Sequence, residues 1–244
     1  MKKNVMLSIA SVLLVAVLLS SSVVAGTFAK YVTGADVNDS ARVAKWGVAV
    51  TATGSLFETQ YANDGEVEKD ENGADIAYTV VSSGSDDVVA PGTKKDDGLT
   101  FSITGTPEVA VNIDFAITGV SDVVLPAGTY LDYTTGNNTT DEFTLDAPYY
   151  PIVYTLKQGS NVVKTGTLED IENYLNEIEG NYPANTPLDT TFGTFTLSWE
   201  WVFGDSANNK ADTFLGQLAA EKATAAGAVL TASATIAITV AQID

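Results

Sequence analysis

Residues 195–203, FTLSWEWVF, constrain this chain more than any other stretch. Phe195, Leu197, Trp199, Trp201 and Phe203 alternate with Thr196, Ser198 and Glu200. A period of two puts the large apolar side chains on one face of an extended strand, whereas a helix would scatter them around its axis. Such a strand needs neighbours to pair with and a second apolar layer to cover it. Two further segments repeat the pattern. In EVAVNIDFAIT, Val109, Val111, Ile113, Phe115 and Ile117 alternate with Ala110, Asn112, Asp114 and Ala116. In LTASATIAITV, Leu230, Ala232, Ala234, Ile236, Ile238 and Val240 share one face, with Thr and Ser mostly on the other. AKWGVAV, IAYTVV, LTFSIT and YPIVYTL add shorter strands. Ala90-Pro-Gly-Thr and the KQGSN stretch at 157–161 supply turns. Clean alternation marks antiparallel sheets with one wet face. The expected fold is mainly β, an antiparallel β-sandwich with the Trp and Phe rows in its core.

Two helices are expected to interrupt the strands. TLEDIENYLNEIEG carries Leu168, Ile171, Leu175 and Ile178 on one stripe, with Thr167 as N-cap, acidic residues in the first turn and Gly180 at the end. ADTFLGQLAAEKATAAG is expected to start after Asp212 or Thr213 as cap, with Phe214, Leu215 and Leu218 facing inward. No repeat or Pro-rich linker divides the chain, so residues 45–244 read as a single domain.

The N-terminus has a different character. Lys2 and Lys3 precede an apolar run at 5–19, and no further charge appears until Lys30. Positive start, apolar core and a small-x-small exit describe a secretory signal helix at 1–29. Thr27 and Ala29 meet the small-residue demand for a cut that leaves Lys30 first; Val23 and Ala25 would leave Gly26 first. A run of about 20 apolar residues also suits an uncleaved anchor. The preferred cut is after Ala29, leaving a secreted, extracellular or surface protein with no membrane contact.

Cleavage there leaves 215 residues, enough for a genuine core. The signal holds two of the 12 basic residues and none of the 31 acidic ones, so the remainder has 10 against 31, a net charge of −21. That balance argues against nucleic acid as a partner. Cysteine and histidine are both absent, which removes disulfides, Ser-His-Asp and Cys-His nucleophiles, HExxH sites and Cys/His zinc sites together. A non-enzyme is expected. Asp64, Asp70, Asn72 and Asp75 surround Gly65 and Gly73 in the acidic stretch 61–75, a calcium candidate by ligand type, although the EF-hand order is not met and a solvated loop explains the same residues. Asp205, Asn208 and Asp212 offer similar oxygens; helix capping accounts for Asp212 more simply. With 31 acidic residues, a glycosidase-like carboxylate pair carries almost no signal.

GTFAKYVT at 26–33, VAPGTKKDDGLTFSITGTPEVAVNI at 89–113 and ATIAITVAQID at 234–244 resemble the TasA/camelysin family. WEWVF followed by NNKADTFLG is similar to a segment of its clostridial-type members. The resemblance implies a jelly-roll-like sandwich, processed by a SipW-type signal peptidase, that self-associates into filaments of a Gram-positive biofilm matrix. It also implies that the freed N-terminal segment lies as a strand in a neighbouring subunit. Camelysin attaches a metalloprotease label to the family, from which this chain departs by having no His or Cys.

A sandwich short of one strand invites strand addition from another chain. The candidate donor is residues 30–44, with Tyr31, Val37, Ala41 and Val43 filling pockets and Asp39 on the same face. A disordered tail, or a first strand within its own sheet, explains these residues equally. A monomeric surface adhesin or ligand-binding sandwich is the alternative function, and a camelysin-like secreted protease the third.

Overall fold

Twelve strands and three helices are laid out in a computed structural model that describes residues 42–61, 71–74, 80–135, 140–202, 208–221 and 227–243. The strands are β1 (Val48–Gly54), β2 (Gln60–Tyr61), β3 (Val80–Val81), β4 (Lys94–Gly105), β5 (Val111–Ser121), β6 (Gly128–Leu131), β7 (Glu142–Leu145), β8 (Ile152–Gln158), β9 (Asn161–Gly166), β10 (Gly180–Tyr182), β11 (Gly193–Trp201) and β12 (Ser233–Gln242). The helices are α1 (Leu168–Ile178), α2 (Leu188–Thr191) and α3 (Asn209–Glu221). Ala44–Asp244 forms one compact unit, and the description below concerns it.

Two of the alternating segments became the central strands β5 and β11, and the third became the edge strand β12. A five-stranded antiparallel sheet runs β1-β4-β11-β8-β9, and a three-stranded one runs β10-β5-β12. Successive long strands change sheets, from β4 to β5, to β8, and from β9 to β10, β11 and β12, which is the jelly-roll-like habit. The two inner faces meet where Phe101 stacks on Phe195 at 5.1 Å and Phe115 tilts against Phe101 at 6.4 Å. Phe195, Leu197, Trp199 and Trp201 are all buried there, with Val111, Ile113, Phe115 and Ile117 opposite. Phe203 lies outside the described residues.

One position breaks the alternation. Ser198 is buried although its parity points outward. The β11–β4 register shifts between Leu197 and Trp199, a bulge at which Ser198 donates to Thr155 O at 3.2 Å.

The turns follow their chemistry. Gly92, at φ +83°, occupies the left-handed position of the Pro-Gly turn. Gly105, at φ +109°, ends β4 where a Cβ would stand 1.8 Å from Gly47 O, so any larger residue would push β1 away.

α1 matches its expected start. Thr167 Oγ1 accepts from Asp170 N, and the Asp170 carboxylate accepts from Thr167 N, a closed capping box. Leu168, Ile171 and Leu175 bury the apolar stripe against β5, β8 and β9. Among the described residues a third, short helix joins the two expected ones. α2 is a single turn after Pro187 that buries Leu188, too short for a periodic signal. The start of α3 is corrected: it begins at Asn209, with Asp212 inside its first turn. The carboxylate of Asp212 instead accepts from Tyr149 Oη at 2.8 Å and Trp201 Nε1 at 3.0 Å, a tertiary role that local sequence could not show.

Candidate functional site: an open seam between two edge strands

Among the described residues β1 pairs only with β4, and β12 only with β5, so each is the outer strand of its described sheet. Both lose their cover at the same place. Val50 and Ala52 stand opposite Ile103 and Phe101 in the register and therefore face inward. Ile103 is fully buried, whereas Val50 is 41% exposed. Across the seam, Ile236, Ile238 and Val240 stand beside Ile117, Phe115 and Ile113. Their partners are buried; they are only half-buried. The cause is the mismatch of five strands against three. On the far margin α1 lies over β8 and β9. On the β1 margin no described strand lies beside β12.

The seam widens at one end. A cavity of about 600 Å³ is lined by Leu56, Phe57, Val88, Val89, Leu99 and Leu230, with Asp87 also on its wall. A narrower one of about 220 Å³ continues past Ala52 and Phe101 to Ala234 and Ile236. The wide end has a firm wall. Trp199 Nε1 donates to Leu56 O at 2.6 Å, the rings of Phe57 and Tyr61 pack on Trp199 at 5.6 and 5.5 Å, and Lys95 pairs with Glu58. At the other end Ile243 N donates to Ala110 O, and Glu108 binds Lys45 through both its main-chain N–H and its carboxylate.

Of the donor residues expected from sequence, Val43 is described: it is 93% exposed and precedes the first strand. Tyr31, Val37 and Ala41, like the cleavage residues Thr27, Ala29 and Lys30, lie outside the described residues. So do Asp64, Asp70 and Asp75 of the calcium candidate; Asn72 sits exposed in the turn at 71–74. Among the described residues no group of three or more Asp and Glu side chains is placed to hold a metal ion.

A buried polar pair went unnoticed in sequence. Tyr154 Oη reaches Asp122 Oδ1 at 3.5 Å, and Asp122 Oδ2 is buried with no hydrogen-bond partner. Burial pushes the Asp122 carboxyl up to about 6, against opposing main-chain hydrogen bonds from Leu168 and Val123. Burial first, and then the Asp122 charge, push the Tyr154 phenol far above its ordinary range. Neither residue lines the two cavities above. No sequence pattern marks the pair, because β5 and β8 bring it together.

The sign of the effect is definite. A folded-state value raised from 3.8 to about 6 means that the fold prefers the protonated acid. The stabilisation is complete below about pH 4 and is lost as pH rises through 6. Asp122→Asn should therefore raise stability at pH 7.5 by roughly 1–2 kcal/mol, a figure reduced for the partial exposure of the group. Urea melts at pH 7.5 and pH 4 measure this. A variant no more stable than the parent at pH 7.5 would contradict it.

Comparison with known protein families, curated proteins and solved structures returned no match to this chain.

Proposed function

We propose that this chain is an exported structural protein whose copies join by strand addition. Residues 30–44 of one copy lie along β12 of the next, as a fourth strand of the smaller sheet facing β1. One observation carries the reading: the inward faces of two edge strands, β1 and β12, are incompletely covered and line the same two cavities. An exposed sheet edge over an apolar groove is a template for an extended segment, whose main chain supplies affinity and whose alternate side chains supply register.

The donor segment fits by length. Its fifteen residues reach about 50 Å when extended, against roughly 33 Å for the ten residues of β12. Tyr31, Val37, Ala41 and Val43 share one face of it. Giving a strand to one neighbour while taking one from another is a head-to-tail contact that does not close on itself, so it builds filaments. The family resemblance in the signal exit and terminal strand points the same way, and assigns the filament to an extracellular biofilm matrix.

Assembly has an electrostatic opponent. Each processed copy carries a net charge of −21, and Asp39 brings a carboxylate onto the inserted face. Added salt screens the first and acid removes both, so filaments should grow faster at 0.5 M than at 0.02 M salt and at pH 4.5 than at pH 8. Electron microscopy and sedimentation of secreted protein beginning at Lys30 test the reading. A size that stays monomeric and independent of concentration throughout would favour the adhesin or ligand-binding alternative.

A further inference from the structure

We propose that the wide cavity between Leu56, Phe57 and Leu230 is the receptor for the processed N-terminus of a neighbouring copy, with Tyr31 as its anchor and the incoming strand parallel to β12. The inference rests on the strand-addition reading and adds direction, register and the residue that sets them.

The seam is not uniform, and the donor is not uniform either. About 600 Å³ opens beside Leu230, about 220 Å³ beside Ala234 and Ile236, and neither cavity extends to Ile238 or Val240. Tyr31 is the sole aromatic residue of segment 30–44 and stands at its start; the other positions of that parity, Thr33, Ala35, Val37, Asp39, Ala41 and Val43, are small or medium, with Asp39 the one charge among them. Only a parallel strand puts Tyr31 in the wider of these two cavities. An antiparallel strand would set Ala41 and Val43 over the cavity and force Tyr31 against the narrow end.

Length permits this register. Leu230 to Gln242 spans thirteen residues, as does Tyr31 to Val43. With Tyr31 beside Leu230, Val37 falls beside Ile236 and Ala41 beside Val240, all on the inward parity of β12. The polar ends also agree. A tyrosine combines an apolar body with a hydroxyl tip that seeks a partner. Asp87 on the cavity wall, with exposed Asp86 next to it in sequence, offers acceptors for that hydroxyl and a negative mouth for Lys30. Cleavage after Ala29 would give Lys30 a second positive charge, its new α-amino group, at the point that meets this mouth. Before cleavage that position is an uncharged peptide bond carrying the whole apolar signal. Processing then creates the ligand, which is a physical reason for assembly to wait for export.

The chain has no cysteine, so introduced pairs report without background. Mature protein from Lys30 carrying Tyr31→Cys with Leu230→Cys should, after assembly and mild oxidation, give a ladder of covalent oligomers that collapses on reduction. Laterally adjacent residues in paired strands have the Cα spacing a disulfide needs. Tyr31→Cys with Gln242→Cys should give none. A ladder from the second pair but not the first overturns the direction. Links confined within single chains overturn donation to a neighbour. Separately, Tyr31→Ala should raise the protein concentration needed for assembly by roughly tenfold to a hundredfold, and Tyr31→Phe by far less. Filaments that form normally with Tyr31→Ala and no ladder overturn the anchor and leave the strand-addition reading standing. Failure of the parent itself to form filaments overturns both.

Discussion

Protein truncated to begin at Lys45 should remain monomeric under conditions in which protein beginning at Lys30 builds filaments. The loss should be complete, because the deleted segment holds every group proposed to cross the joint. Burying Tyr31, Val37 and Val43 contributes about 1.5–3 kcal/mol each, and each main-chain hydrogen bond adds about 1 kcal/mol. Association must offset an estimated 4–15 kcal/mol of lost freedom, so nothing remains to hold copies together once these terms are removed. The truncation should leave the fold intact. Lys45 keeps both contacts with Glu108, and every buried core residue among those described lies after it. Circular dichroism and thermal melting should match the longer form, while sedimentation and electron microscopy should differ. If both forms polymerise alike, strand donation by residues 30–44 is wrong.

Trp199→Ala should bring the folded state close to its limit. Trp199 is 2% exposed near the C-terminal end of β11, between Tyr154 of β8 and Lys95 of β4. Removing a buried tryptophan costs about 3–5 kcal/mol in lost packing and cavity formation. The substitution also strips Leu56 O of its donor, a further 1–3 kcal/mol or so for a buried acceptor left unmade. Domains of this kind have about 5–15 kcal/mol in total. Trp199→Phe keeps most of the ring contact with Phe57 and Tyr61 and loses the hydrogen bond, so it should cost about half as much or less. Denaturant midpoints for the two variants provide the comparison. Equal losses would show that the ring contacts with Phe57 and Tyr61 contribute nothing beyond the hydrogen bond to Leu56. Since Leu56 and Phe57 wall the wide cavity, both variants should also weaken assembly where the protein stays folded.

Much of the architecture is legible because its causes are local. A period of two along a strand is a property of neighbouring residues, so Phe195 to Trp201 and Val111 to Ile117 declare their buried faces without reference to a partner. The start of α1 is equally local, since Thr167 and Asp170 satisfy each other within one turn. Asp212 shows where locality stops. Its position suits a cap, yet the carboxylate goes to Tyr149 and Trp201, residues brought near by the sandwich. The Asp122–Tyr154 pair carries no sequence mark for the same reason.

The candidate site divides along the same line. Sequence alone determined that β12 has an apolar face, that Tyr31 is the one aromatic residue of 30–44, and that no His or Cys is there to serve as a zinc ligand or in a Ser-His-Asp or Cys-His site. Alternation along β12 says which side chains face inward but not whether anything covers them. Only the tertiary structure decided that. Coverage depends on how many strands each sheet holds and which strand ends at which edge, and these follow from long-range pairing. Five strands packed on three, with α1 over one margin, leave Val50 exposed and Ile236 and Ile238 only partly covered by the described fold.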